Sequence, residues 1–241
     1  MGFYEERLMP IINRTVDELC KTPHMQEILH GTMSKEKFQF QLKQNFNYLK
    51  EFCRCWAVGM ARCNDYDELS LWYKLLKGTF ESELGESTRY WFEVAGIPFD
   101  DAENTIMAEG KRSYTSHELA RAFEGDQAAQ VIALFPCTIL YWHMGLNLVP
   151  QCTLPKDNMF RRWLEFYVGE WYTEHCKNAI KLVNKLTEYK SERELTKLLE
   201  IFAVSCNYEY LQWTGMYHKM TTWPIEDIFP PKHTTIEKLE V

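Results

Sequence analysis

Apolar residues recur at every third or fourth position along most of this chain, which is the spacing of one helical face. Over 34–63, Phe38, Leu42, Phe46, Leu49, Cys53, Trp56 and Met60 keep that period, and Ser34 offers an N-cap oxygen just before them. A short helix opened by Pro23 and stopped by Gly31 comes first, since proline suits a first turn and glycine the position past a last one. The spacing predicts a long helix over about 66–95, ending at Gly96-Ile97-Pro98, and another over about 114–124, ending at Gly125. Asp126 is placed to cap the run QAAQVIALFPCTILYWHMGLNLV over 127–149, which Pro150 closes. Helical spacing resumes over 157–188, and Ser191-Glu192-Arg193-Glu194 has the form of a capping box for a last helix over about 192–218. Asn-Gly and Asp-Gly hairpin turns are missing, and no sustained alternation marks a strand. The pattern predicts an all-α fold: a single-domain helical bundle over 1–223, then a Pro-rich extension over 224–241 carrying Pro224, Pro230 and Pro231.

Composition narrows what such a bundle could do. A chain of 241 residues suits one sizeable core. Its net charge of −7 and the scatter of its Lys and Arg exclude a basic face for nucleic acid. No uncharged apolar stretch of about 18 residues is read along the chain, so no membrane span is expected. The eight cysteines form no Cys-x-x-Cys pair, and the start MGFYEERLMP lacks an apolar leader. Together these predict reduced thiols and a cytoplasmic location.

Candidate chemistry centres on Cys137, which follows Pro136 inside the apolar run. Proline removes a backbone donor and disturbs the preceding turn, so the neighbouring thiol can face a cavity. Tyr141 lies four residues on and shares its face. On spacing alone, a packed core helix with a buried cysteine fits as well. Further inward polar or aromatic candidates are Asn45 with Tyr48, then Tyr114, then Tyr167 ahead of Gly169-Glu170-Trp171, and Glu209 within Tyr208-Glu209-Tyr210. A carboxylate among aromatics would titrate near neutrality and move protons. Bundle metal sites need paired Glu-x-x-His motifs, and only His30, with Glu27 before it, has that spacing. Phosphate loops, dinucleotide fingerprints and nucleophile elbows are missing too. If the chain is an enzyme, a cysteine nucleophile assisted by Glu and Tyr, without metal or cofactor, is what remains.

The segments QNFNYLKEF (44–52), SYTSHELARAF (113–123), FPCTILYWH (135–143), WLEFYVGEW (163–171) and YEYLQWTGMYHKMTTW (208–223) resemble, in order and spacing, the TenA (thiaminase II) family. The resemblance implies a haem-oxygenase-like bundle, usually a homotetramer without a cofactor. It also implies hydrolysis of 4-amino-5-aminomethyl-2-methylpyrimidine to the hydroxymethyl pyrimidine and ammonia, and in many members cleavage of thiamin. By the same resemblance Cys137 is the nucleophile that adds to the ring and Glu209 handles the ring-nitrogen proton, while Tyr48, Tyr114, Tyr141 and Tyr167 line the pocket.

Two pocket positions depart from the family pattern: Asn45 replaces an Asp that holds the aminopyrimidine, and Gln212 stands where bacterial members usually have Phe. Near Glu83 the family commonly places His, and here Ser87 or a neighbour occupies that position. The departures leave open a pocket that binds a pyrimidine or thiamin derivative, or acts on a different heterocycle, with little thiaminase activity. An amide cannot make the charge-assisted contact of a carboxylate, a loss of about 1–2 kcal/mol. Asn45→Asp is therefore expected to raise kcat/KM on the aminopyrimidine by roughly ten- to thirty-fold, read as ammonia release. An unchanged or lower value would point to a different natural heterocycle.

Overall fold

The computed structural model describes residues 2–218, Trp223 and Phe229, so the extension expected over 224–241 lies outside the described residues apart from Phe229. Among the described residues eleven α-helices follow one another with short links, and no strand occurs. They are α1 (Met9–Cys20), α2 (Pro23–His30), α3 (Lys35–Ala61), α4 (Tyr66–Lys77), α5 (Thr88–Ala95), α6 (Phe99–Asn104), α7 (Glu109–Glu124), α8 (Gln127–Leu148), α9 (Met159–Phe166), α10 (Glu170–Thr187) and α11 (Glu192–Tyr217).

Local chemistry sets many of the boundaries. Ser34 accepts from the Lys37 amide and Asp126 from the Ala129 amide. Ser191 and Glu194 bond reciprocally, side chain to backbone, as a capping box does. Gly31 ends α2 and Gly96 ends α5, both with left-handed backbone (φ 70° and 67°) that glycine adopts without strain.

Helix α8 is the axle of the bundle, packed against α1, α3, α7, α10 and α11. From Ala128 to Tyr141 it is buried on every side, which is why its hydropathy shows no polar face there. This corrects the reading that no uncharged apolar stretch is long enough to span a membrane. Gln127–Gln151 meets that length and composition, and 78% of the apolar window lies buried inside the bundle. The helix continues through Pro136.

Three boundaries differ from those read off the spacing. The 66–95 segment is helical throughout, but a wider π-helical stretch, Gly78–Ser87, separates α4 from α5. The 157–188 segment is two helices. Tyr167 terminates α9 and Gly169, in extended conformation, starts α10, so the chain turns at Tyr167. Helix α7 begins at Glu109, five residues before the expected start. No side chain of its own first turn caps it; instead Gln44 of α3 accepts from the Ala108 amide (2.8 Å) and donates to the Ile106 carbonyl (2.9 Å). Asn47, one turn along α3, donates to the Ala102 carbonyl at the end of α6 (2.8 Å). The eight cysteines are unpaired.

Candidate active site

Side chains from six places converge beside α8. Cys137 and Thr138 come from α8 itself, Tyr48 from α3, Glu83 from the π-helical stretch, Lys111, Tyr114 and Glu118 from α7, Tyr167 from the α9–α10 corner, and Glu209 and Gln212 from α11. Apart from the partly buried Glu83, all of these residues are buried.

Two aromatic walls flank them. On one side Phe52, Tyr48, Tyr114 and Tyr208 stack nearly parallel at centroid spacings of 5.5, 5.6 and 5.6 Å. On the other, Tyr141 lies 4.9 Å from Tyr167 and 5.5 Å from Trp213. Tyr167 in turn meets Trp163 and Tyr172 edge-on. Such spacings are those of favourable ring pairs.

The polar atoms between the walls are only half satisfied. Tyr48 Oη donates to Glu118 Oε1 at 2.7 Å, and Gln212 Nε2 donates to Glu209 Oε2. Glu209 Oε1, Glu118 Oε2, Gln212 Oε1, Tyr114 Oη, Thr138 Oγ1 and Lys111 Nζ are buried without a hydrogen-bond partner among the described residues. Buried polar atoms without partners are costly and rare, and a cluster of them marks a place built for a polar ligand.

Burial shifts every ionisable group here away from its ordinary range. Loss of water is the largest cause for Glu209, whose carboxyl rises from 4.5 to about 7 against the pull of Lys111 and the hydrogen bond from Gln212. Glu83 likewise rises to about 7, and Glu118 is pushed well above the usual carboxylate range. Burial first, and then Glu209, Glu83 and Glu118, hold the Cys137 thiol well above its ordinary value, with the Tyr48 hydroxyl opposing them. Lys111 is lowered by the same desolvation. Glu209 and Glu83 therefore titrate near neutral pH, where each can take and give a proton.

Of the residues expected from sequence, Cys137, Glu209, Tyr48, Tyr114, Tyr141 and Tyr167 share this electrostatic neighbourhood, and Gln212 joins it through Glu209. Asn45 occupies the α3 face of Gln41 and Tyr48, is only partly buried, and makes no hydrogen bond among the described residues. Lys111, Glu118 and Glu83 were not anticipated. Lys111, Tyr114 and Glu118 follow an i, i+3, i+7 pattern that would have placed them on one face, but the helix was expected to begin only at Tyr114. Among the described residues no three His, Cys, Asp or Glu side chains gather closely enough to hold a metal ion.

A cavity of about 310 Å³ lined by Gly110, Lys111, Ser113, Tyr208, Leu211 and Gln212 adjoins the cluster and leads toward the surface between α7 and α11. Larger grooves lie elsewhere, one of about 540 Å³ between α1 and α11 and one of about 590 Å³ around Tyr90 and Trp171.

An all-α bundle with a thiol, carboxyls and tyrosines at its centre is the class of protein that fold and site define. The chain belongs to the TENA/THI-4/PQQC family, which it matches over residues 10–219. It is 28% identical over 201 residues to the aminopyrimidine aminohydrolase of Bacillus subtilis (strain 168), covering 83% of this chain and 84% of that one. It is also 28% identical over 197 residues to the enzyme of the same name from Halalkalibacterium halodurans, covering 82% and 88%. The fold matches that of a TenA homologue from P. horikoshii OT3 with a TM-score of 0.79 at 19% identity, over 90% of this chain and 99% of that one.

The raised carboxyls make a stability prediction. Glu209 binds its proton more tightly in the folded chain (about 7) than at its ordinary value of 4.5. The folded state therefore loses stability as pH rises through that window. Glu209→Gln, which mimics the protonated form, is expected to leave stability near pH 4.5 unchanged. Near pH 8 it is expected to raise stability by about 1–3 kcal/mol, read by denaturant melts at both values.

Proposed function

We propose that this protein is an aminopyrimidine aminohydrolase of the thiamin-salvage type, converting 4-amino-5-aminomethyl-2-methylpyrimidine and water to the hydroxymethyl pyrimidine and ammonia. The observation that carries this reading is the convergence of Cys137, Glu209 and four tyrosines in one buried cluster, with polar atoms that no other described residue satisfies. Tyr48, Tyr114, Tyr141 and Tyr167 form the walls for a flat ring, Gln212 sets the orientation of Glu209, and Asn45 offers an uncharged amide to the aminopyrimidine edge.

The chemistry fits these roles. The Cys137 sulfur adds to a ring carbon while Glu209 delivers a proton to the adjacent ring nitrogen, so no charge is stranded on the ring. The electron pair then expels ammonia from the aminomethyl group, water adds at that carbon, and sulfur leaves as the ring recovers its double bonds. A carboxyl titrating at about 7 can both take and give a proton at neutral pH. The bundle over 1–223 is the catalytic unit in this reading and 224–241 an appended extension. The resemblance further supports a cytoplasmic homotetramer, and exposed Phe123 and Tyr66 supply apolar surface for such contacts.

A second reading, a pocket that binds the pyrimidine or a thiamin derivative, or acts on a different heterocycle, with little thiaminase activity, is favoured by Asn45 and Gln212. Ammonia release from the aminomethyl pyrimidine decides between the two. The enzyme reading predicts turnover that falls at least about a thousandfold in Cys137→Ser, the usual cost of removing a covalent nucleophile. Micromolar binding by calorimetry with no ammonia would establish the binding protein instead.

A further inference from the structure

Lys111 is the only buried Lys or Arg among the described residues, at 2% exposure. It emerges from the first turn of α7, where the Gln44 bridge fixes the start of the helix. Its Nζ lies 4.3 Å from the centroid of the Tyr48 ring and donates to no hydrogen bond among the described residues. A buried ammonium over an aromatic face gains from the ring quadrupole, but three unmet N–H donors remain. Nothing in the reaction outlined above employs this residue.

The groups around it are acidic. Lys111 interacts electrostatically with Glu209 from α11, Cys137 from α8, Glu118 from its own helix and Glu83 from the π-helical stretch. The same three carboxyls face the Cys137 thiol and oppose its ionisation, and from α3 only the Tyr48 hydroxyl favours it. The tyrosines at 114, 141, 167 and 172 also face this cluster. His24, from α2, is within reach of Lys111 but burial lowers it to about 4, so it is neutral at pH 7. A thiolate forming among carboxylates in a buried site needs a counter-charge, and among the described residues Lys111 is the buried ammonium that can supply it.

We propose that Lys111 is the positioning residue that makes Cys137 usable as a nucleophile: its ammonium, seated against the Tyr48 ring, supplies the positive charge beside which the thiolate forms. This rests on the reading of Cys137 as the nucleophile. The step balances. The Glu209 carboxylate takes the proton of the Cys137 S–H; that bond breaks, an O–H bond forms on Glu209, and the negative charge moves from oxygen to sulfur. An ammonium–carboxylate pair becomes an ammonium–thiolate pair, so the buried net charge is the same before and after. Glu209 then carries the proton that the ring nitrogen needs.

The test is a pH titration of the Cys137 thiolate by its far-ultraviolet absorbance, taken as the difference between each protein and its Cys137→Ala counterpart. That readout needs no turnover. Lys111→Met is expected to raise the thiolate midpoint by at least about one unit and to lower kcat/KM at neutral pH at least about tenfold. Lys111→Arg, which keeps the charge, is expected to return the midpoint to within about half a unit of wild type. A folded Lys111→Met protein with an unmoved midpoint would overturn the proposal. Should Lys111→Met not fold, the Arg variant decides alone: a midpoint near wild type supports the role, and a rise of about one unit or more removes it. A wild-type protein that shows the Lys111-dependent midpoint yet releases no ammonia would sink the hydrolase reading and leave this inference standing.

Discussion

Taking charge out of water is the constraint to which the rest of this molecule answers. Glu83, Glu118, Glu209, Lys111 and Cys137 sit together inside a helical bundle, where each isolated ion would cost several kcal/mol. The groups respond as buried groups must: Glu83 and Glu209 hold their protons to about 7, Glu118 is raised well above the usual carboxylate range, and the lysine gives its proton up more readily. The aromatic side chains around the cluster bury it, and burial strengthens the electrostatic interactions among its groups. A site of this kind is expensive to fold, and its expense is the source of its chemistry: protons that a solvent-exposed carboxylate would have lost long before pH 7 are still present to be transferred.

No single segment holds the cluster, so its geometry depends on how the helices are registered against one another. Polar ties between distant parts of the chain set that register. Gln44 and Asn47 of α3 fix the starts and ends around α6 and α7. Gln130 of α8 donates to the Cys55 carbonyl of α3 at 2.6 Å, and Tyr172 of α10 donates to the Thr138 carbonyl at 3.1 Å, next to Cys137. Close packing does the same work. A Cβ at Gly59 would run into the Trp72 ring, so α3 and α4 approach as closely as they do only because position 59 has no side chain.

Much of the fold was legible because helix ends in this chain are written locally. Ser34, Asp126 and the Ser191–Glu194 box each announce a start within four residues, and Gly31 and Gly96 each announce a stop. Where the deciding partner is distant, the sequence is silent. The start of α7 depends on Gln44, 64 positions away, so Lys111 fell outside the predicted helix and was missed although it shares a face with Tyr114. Glu83 was hidden by the π-helical widening, which alters the period by which a face is read. Cys137 and Tyr141 were legible by their four-residue spacing beside Pro136. The convergence of Tyr48, Tyr114 and Tyr167 came from the family resemblance, because tyrosines on separate helices carry no mark of a shared cavity.

The proposed reaction requires one arrangement, an aminopyrimidine ring held between the Cys137 sulfur and the Glu209 carboxyl. A crystal structure with 4-amino-5-hydroxymethyl-2-methylpyrimidine bound tests it most directly. The ring is expected between the Tyr48–Tyr114 and Tyr141–Tyr167 walls, with a ring nitrogen at about 2.8 Å from Glu209 Oε1, the oxygen that has no partner among the described residues, and with Cys137 Sγ in contact with a ring carbon. A ring bound in the groove beside Tyr90 and Trp171, or one that leaves Glu209 Oε1 without a partner, would contradict it.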